Sequence, residues 1–320
     1  MPHPSSQTDL PRLVIGFYRL RFAVHDRYDY PGFSGSAWRG VLGHALRERH
    51  CPRGLHRACD CDPACDYARL FEPPLPADTH GLPLAGLDRL PSPWLLHELP
   101  EGPVARGETL TLGLSLLGTA NAGLPAYVQG LAEGAGRLEM ADNLKLVSVA
   151  RWHRAGGLRE IDADQPQAAG PSEAEWLDQA GILGHAGPMR VRLLTPMRLR
   201  VGGRHLGQRG FDPGAFCMAV VRRVSLLAAV YGPGPVTADF RALKAACADV
   251  RLHAQTLQWE ERARRSNRQG ARHQLGGLSG AFELDNVAHE LVPWLLLGQA
   301  VHVGKAVSMG LGRFHLEPAS

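Results

Sequence analysis

The chain spells the same succession of apolar patterns twice. LPRLVIGFYRLRFAV (10–24) alternates apolar and polar residues and is rich in β-formers, which predicts a strand. GSAWRGVLGHALRERH (35–50) has helical spacing, with Trp38, Val41, Leu42, Ala45 and Leu46 as an apolar stripe and Ser34 or Ser36 as its cap. A strand at 107–118 follows, and 120–140 runs from a short helix through glycines into a strand continued by LKLVSVARW. The second half repeats this order. A strand pair or bent strand spans 189–203 with a break at Pro196, then helices are predicted over 214–232 and 282–300, and GRFHLEP closes the set. Gly134-Ala135-Gly136-Arg137 and Gly310-Leu311-Gly312-Arg313 each fall between a predicted helix and a predicted strand. Two βαββαβ units in tandem are the simplest architecture for such a repeat, giving an α+β chain of two ferredoxin-like domains. The expected division is 1–185 and 186–320, joined through the aperiodic Gly/Pro/Ala/Glu-rich stretch 155–187, with a Cys-rich insertion near 51–72 in the first domain.

At 320 residues there is room for two such cores. The opening MPHPSSQTDLP lacks the cationic and apolar regions of a secretory signal, and the run VPWLLLGQAVHV is too short to cross a bilayer. A cytoplasmic protein without membrane partners is therefore expected. The net charge is +4, a mild bias compatible with nucleic acid. Of 35 basic residues only three are lysines, Lys145, Lys244 and Lys305, leaving 32 arginines. Arginine suits bidentate phosphate contacts and stacking on bases.

One of those scarce lysines sits in a glycine loop, VHVGKAVSMGLGRFHL (301–316). The loop is not a P-loop, because Gln299 stands where the first glycine belongs and Ala306 where Ser or Thr belongs. It follows a helix, so it is not a dinucleotide fingerprint either. Gly304, Gly310 and Gly312 with Lys305 and Ser308 either let backbone approach a phosphate closely or serve a turn that needs positive φ. A second candidate RNA contact is WEERARRSNRQGARHQ, where Arg262, Arg264, Arg265, Arg268 and Arg272 crowd beside Trp259. Clustered arginine with an aromatic neighbour fits phosphate contact plus base stacking, against a solvated charged segment balanced by Glu260 and Glu261.

Four of six cysteines lie in CPRGLHRACDCDPAC: Cys51, Cys59, Cys61 and Cys65. Clustered thiols in a reducing compartment suggest a closed structural zinc site; an iron–sulfur cluster and unmetallated thiols are the other readings. Cys217 and Cys247 fall in helical patterns as apolar fillers. For chemistry, His44 has a distinctive setting. Gly40, Gly43, His44 and Arg47 share one helix face, which places an imidazole and a guanidinium over flat backbone that a phosphodiester could approach. Histidine moves protons near neutral pH. Tyr28 and Tyr30 precede the helix and can orient or relay; against this stands a structural role in close helix packing.

FSGSAWRGVLGHALRERHC, CDYARLFEP, LLTPMRL, RRSNRQG…LGGLSGAFEL and HVGKAVSMGLGRF, in this order along nearly the whole chain, resemble the CRISPR-associated endoribonucleases that cut precursor CRISPR RNA, the sixth Cas family of the RAMP superfamily. The resemblance implies two ferredoxin-like domains and cleavage without a metal or small-molecule cofactor: the 2′-hydroxyl attacks, leaving a 2′,3′-cyclic phosphate and a 5′-hydroxyl. It implies a histidine on the first helix assisted by a tyrosine and a lysine. His44 fits the first role, and Tyr30 or Tyr28 the second. The lysine does not carry over, because none precedes Lys145; Arg39, Arg47 or Lys305 would stabilise the phosphate instead. The implied partners are CRISPR repeat RNA and other Cas effector subunits. The competing reading is a RAMP protein of the same fold that holds guide RNA without cutting it.

Overall fold

The computed structural model describes all residues except 1–10, 31, 85, 139–142, 154–156, 165–177, 179–180, 186, 262, 266–271 and 320. In the first half the strands are β1 (Ile15–Val24), β2 (Trp94–His97), β3 (Thr109–Leu117), β4 (Leu144–His153) and β5 (Gly157–Glu160), paired antiparallel in the order β2-β3-β1-β4-β5. Alternation along β1 sends Tyr18, Leu20 and Phe22 beneath the helices and leaves Arg21 exposed on the other face. Helix α1 (Gly35–His50) and helix α3 (Leu124–Ala135) cover the apolar side, with a short α2 (Asp66–Phe71) beside α1.

The second half has β6 (Met189–Met197), the hairpin β7 (Arg200–Val201) and β8 (Arg204–His205), α4 (Pro213–Tyr231), α5 (Phe240–Asp249), β9 (Arg251–Gln255) and β10 (Gln258–Glu260). A second hairpin of β11 (Ala263–Arg265) and β12 (Arg272–Gln274) leads to β13 (Gly277–Asp285), α6 (Val292–Val301) and β14 (Phe314–Pro318). Its main sheet runs β10-β13-β6-β14, with β9 also paired to β13. In each half the four principal strands therefore lie in the spatial order second, third, first, fourth, which is the ferredoxin-like arrangement expected from the repeated pattern. Asp212 and Asp239 cap α4 and α5 through side-chain bonds to backbone N–H groups, at 3.0 Å to Ala215 and 2.9 Å to Ala242.

Three expectations need correction. The helix predicted over 282–300 begins at Val292; Phe282-Glu283-Leu284-Asp285 completes β13, the strand between β6 and β10. Its apolar residues alternate, and Asn286 in the left-handed region turns the chain before the helix. The two GxGR segments are not equivalent. Gly134 lies inside α3, where the lack of a side chain admits Val41 of α1, whereas Gly310 and Gly312 are left-handed loop positions. Pro196 does not end a strand, since β6 continues to Met197, but the pairing with β13 shifts between Leu193 and Met197.

Two apolar cores result, and they are not independent. Leu13, Ile15, Leu95 and Leu117 of the first half are buried in the core of the second, and Phe33, Leu275 and Leu311 form a third cluster. Among the described residues one helix, Pro213–Tyr231, is long and apolar enough to cross a membrane by length and composition. It packs on α5 and α6, with Phe216, Val220, Val224 and Leu227 in the core.

Candidate nucleic-acid interface

Helix α1 carries its functional candidates on faces with different fates. His44 is exposed, as is Gly40 one turn earlier, where a side chain would meet open space. Gly43 is not part of that open face. It is buried, and a Cβ there would stand 2.5 Å from the Phe71 ring, so the expected flat platform shrinks to Gly40 beside His44. Arg39 donates to Glu72 at 2.7 Å and lies 4.9 Å from the centre of the Phe71 ring. Arg47 donates to the Gly54 carbonyl at 2.9 Å and covers Tyr67. Tyr28 is buried under α1, and loss of solvent pushes its phenol up to about 12. Tyr30 is half-buried.

The glycine loop of the second half reaches this helix. Its 3-10 turn, Val307–Met309, packs on β2 and on the start of α1, where the Met309 carbonyl occupies the space of a Gly35 side chain. Lys305 is exposed and Ser308 half-buried on this loop. The glycines shape it from within. At Gly312 φ is +73°, and a Cβ would stand 1.9 Å from the Val303 carbonyl. The Gly310 and Gly312 N–H groups donate to Val307 and Pro196, and the Lys305 N–H to Arg198. Buried and bonded, Gly310 and Gly312 hold the loop against β6, while Lys305 and Ser308 are its presented groups. Thr195 completes the brace: its hydroxyl donates to Gly310 at 2.8 Å and accepts from the Arg313 N–H at 2.9 Å.

An ion-pair network between the halves escaped the sequence reading. Arg19 holds Glu98 through two bonds of 2.8 and 3.0 Å, and Arg313 approaches the same carboxylate at 3.9 Å. Burial, the largest single influence, raises the Glu98 carboxyl, but the Arg19 bond and the His97, Arg19 and Arg313 charges together outweigh it and hold the carboxyl below its ordinary value. His97 and His302 lie beside this network, and burial followed by the Arg313 charge depresses both, His97 to about 4. These residues come from distant segments with no common motif, so only the topology joins them.

The arginine-rich segment lies elsewhere on the second half. Trp259, on β10, is partly exposed, near His205 of β8, and its indole N–H donates to Glu261 at 2.6 Å. Arg264 and Arg265 fall on β11, opposite His273 and Arg272; Arg262 and Arg268 lie outside the described residues.

Cys51, Cys59, Cys61 and Cys65 converge, their sulfurs all within 4.8 Å of one another. Cys51 caps the end of α1 and Cys65 precedes α2, so the cluster joins these helices. The Cys51–Cys61 and Cys59–Cys65 separations are 3.9 and 3.6 Å. A tetrahedron with Zn–S bonds of about 2.3 Å has edges of about 3.8 Å, so the thiols fit a four-sulfur zinc site.

Two family models cover most of the chain. Residues 13–172 match a model described as an N-terminal domain, and residues 191–314 match that of the CRISPR-associated endoribonuclease Cas6. No curated protein matches the chain in sequence. Among solved structures, the chain is similar in fold to a partial Cas6-RT-Cas1–Cas2 complex, with a TM-score of 0.60, 14% identity, and coverage of 97% of this chain and 47% of that one. A full Cas6-RT-Cas1–Cas2 complex gives the same score and identity, with 29% of its chain covered. The chain thus spans about half, or less than a third, of these two. A Thermus thermophilus Cas6 product complex has a TM-score of 0.53 at 18% identity, with 94% of this chain and 99% of that one aligned. The second half of the chain therefore carries a Cas6-family domain, the first half matches the N-terminal model, and paired ferredoxin-like sheets lie beneath both.

Proposed function

We propose that this protein cuts precursor CRISPR RNA within its repeats by metal-independent transesterification. The observation that carries the reading is the meeting of His44's helix with the Lys305–Ser308 loop in a chain whose second half carries a Cas6-family domain. In the proposed step the 2′-oxygen upstream of the scissile bond attacks phosphorus, and the bond to the 5′-oxygen breaks. The 2′-hydroxyl proton leaves to a base and the 5′-oxygen gains one, giving a 2′,3′-cyclic phosphate and a 5′-hydroxyl. His44 serves as the base or the acid, a role typically worth ~10²- to 10⁴-fold. Tyr30 orients the reacting group, and Lys305 with Arg39 or Arg47 faces the charge that builds on phosphorus. Trp259 and the arginines of 262–268 hold RNA further along. The four cysteines hold structural zinc, which ties α1 to α2 and takes no part in the reaction. The halves divide near residue 185. Repeat RNA is the partner, with other Cas subunits receiving the product.

The test is cleavage of a cognate repeat RNA in excess EDTA, wild type beside His44→Ala. A single cut with a cyclic-phosphate end, slowed at least ~10²-fold in the variant with RNA affinity retained, is expected. Tight binding with no cut by either protein overturns the enzyme reading and leaves a guide-RNA holder.

A further inference from the structure

A cavity of about 370 Å³ opens between the two halves, and His44 does not line it. Its walls come from five segments: Arg39 on α1, Glu72 after α2, Arg89 and Trp94 before and on β2, Arg223 on α4, and Ser308 on the glycine loop. Three guanidiniums face one carboxylate, so two positive charges are unmatched. Glu72 is already shared, taking Arg39 at 2.7 Å and Arg89 at 3.0 Å.

Arg223 is the unusual member. Its Nε donates to the Val301 carbonyl at 2.8 Å, and no carboxylate among the described residues pairs with it. Loss of solvent lowers its guanidinium to about 10, which leaves it cationic at neutral pH. A desolvated cation without a counter-charge is costly, and an anion in the cavity would offset that cost. Apart from Ser92, the rest of the wall is apolar: Leu90, Pro91, Trp94, Ala306 and Val307. It is also fixed in place. The Tyr231 hydroxyl donates to the Pro91 carbonyl, and the Trp94 indole donates to the Phe71 carbonyl at 3.4 Å. Cationic groups on one side, an apolar wall on the other and a volume at the small end of ligand sites describe a receptor for one nucleotide.

We infer that this cavity takes a single unstacked nucleotide of RNA, its phosphate on Arg223 and Arg89 and its base against Leu90 and Pro91. The inference rests on the RNA-processing reading for the polymer that supplies the nucleotide. Because Ser308 belongs to the loop that meets α1, a nucleotide seated here would fix the strand beside His44.

The experiment is calorimetric titration of the four nucleoside 5′-monophosphates, the matching nucleosides and inorganic phosphate into wild type, Arg223→Met and Arg89→Gln. Arg89 is exposed, so its variant keeps the fold even if Arg223→Met does not. Monophosphates are expected to bind wild type and to lose at least ~10-fold in either variant, with nucleosides and phosphate weaker than monophosphates. Equal binding by wild type and Arg89→Gln overturns the inference, as does inorganic phosphate binding as tightly as a monophosphate. Cleavage of repeat RNA is followed in parallel. Arginine-dependent monophosphate binding by a wild type that cuts no RNA sinks the processing reading and keeps the cavity. Cutting with unchanged KM in Arg89→Gln and no monophosphate binding does the reverse.

Discussion

Gly40 and Gly43 lie three residues apart on α1 and should answer oppositely to one substitution. At Gly40 a methyl meets open space, so Gly40→Ala gains helix propensity and is expected to raise stability by about 0.5–1 kcal/mol. At Gly43 the same methyl lands on the Phe71 ring, and Gly43→Ala is expected to cost about 1–3 kcal/mol. Denaturant midpoints of the two variants check the pair; equal shifts would refute the packing of α2 on α1. Gly312 is more severe. Alanine there must hold a φ of +73° and displace the Val303 carbonyl, so Gly312→Ala is expected to lose at least ~2 kcal/mol together with loop-dependent RNA binding. A melting temperature and an RNA affinity unchanged from wild type would show that the loop is slack.

At the scale of elements, α2 has six residues, too few to persist alone, and it is held by Phe71 at one end and the cysteine cluster at the other. Protein purified without chelator is expected to carry one zinc per chain, and Cys59→Ser to lower both zinc content and melting temperature, the latter by more than about 5 °C. Metal-free protein with the same melting temperature as holo would leave the thiols without a structural role. The cysteines were legible because thiols crowded in sequence have little room to diverge in space. Helices α1 and α4 and strands β1 and β3 were legible for a different reason: each carries a clear period of 3.6 or 2 over nine or more residues. Where the period was short or shared, reading failed. Trp94–His97 is four residues buried throughout, with no alternation to detect, and α5 is a mostly exposed, alanine-rich helix with three buried side chains, of which only Cys247 is legible as helical. Phe282–Asp285 merged with the apolar run after it, so β13 lost its end to a helix. His44 could be picked out by its helix face, but Glu98, Arg223 and His302 had no local mark. For Glu98 and Arg223 the meaning comes from partners at least 78 residues away, Arg19 and Val301, and His302 meets His97 only through the fold.

For the whole molecule, the contact between halves sets the response to acid. His97 and His302 are buried and neutral, with Arg19, Arg313, Arg223 and Glu98 as the charged groups around them. In the unfolded chain each histidine takes a proton near pH 6.5, while in the fold His97 resists until about 4. A folded value below the unfolded one means that this contribution to stability is fully present above pH 6.5 and is lost as pH falls toward 4. For His97 alone the loss is about 3 kcal/mol, and Glu98, held low by Arg19, adds a further loss once pH drops through its own folded value. Urea midpoints are expected to fall between about pH 7 and pH 4.5, and His97→Leu to flatten that slope. A variant as acid-sensitive as wild type would place the effect elsewhere. The loop beside that contact also has a place in time. Its brace is Thr195, Arg313 and the pairing of β14 with β6, so it cannot take shape until β14 has been made and docked. A ribosome releases α1, with His44, more than 250 residues before Phe314. The nascent chain therefore spends most of its synthesis with α1 folded and no loop against its start, and the site proposed above is complete only after β14 has emerged.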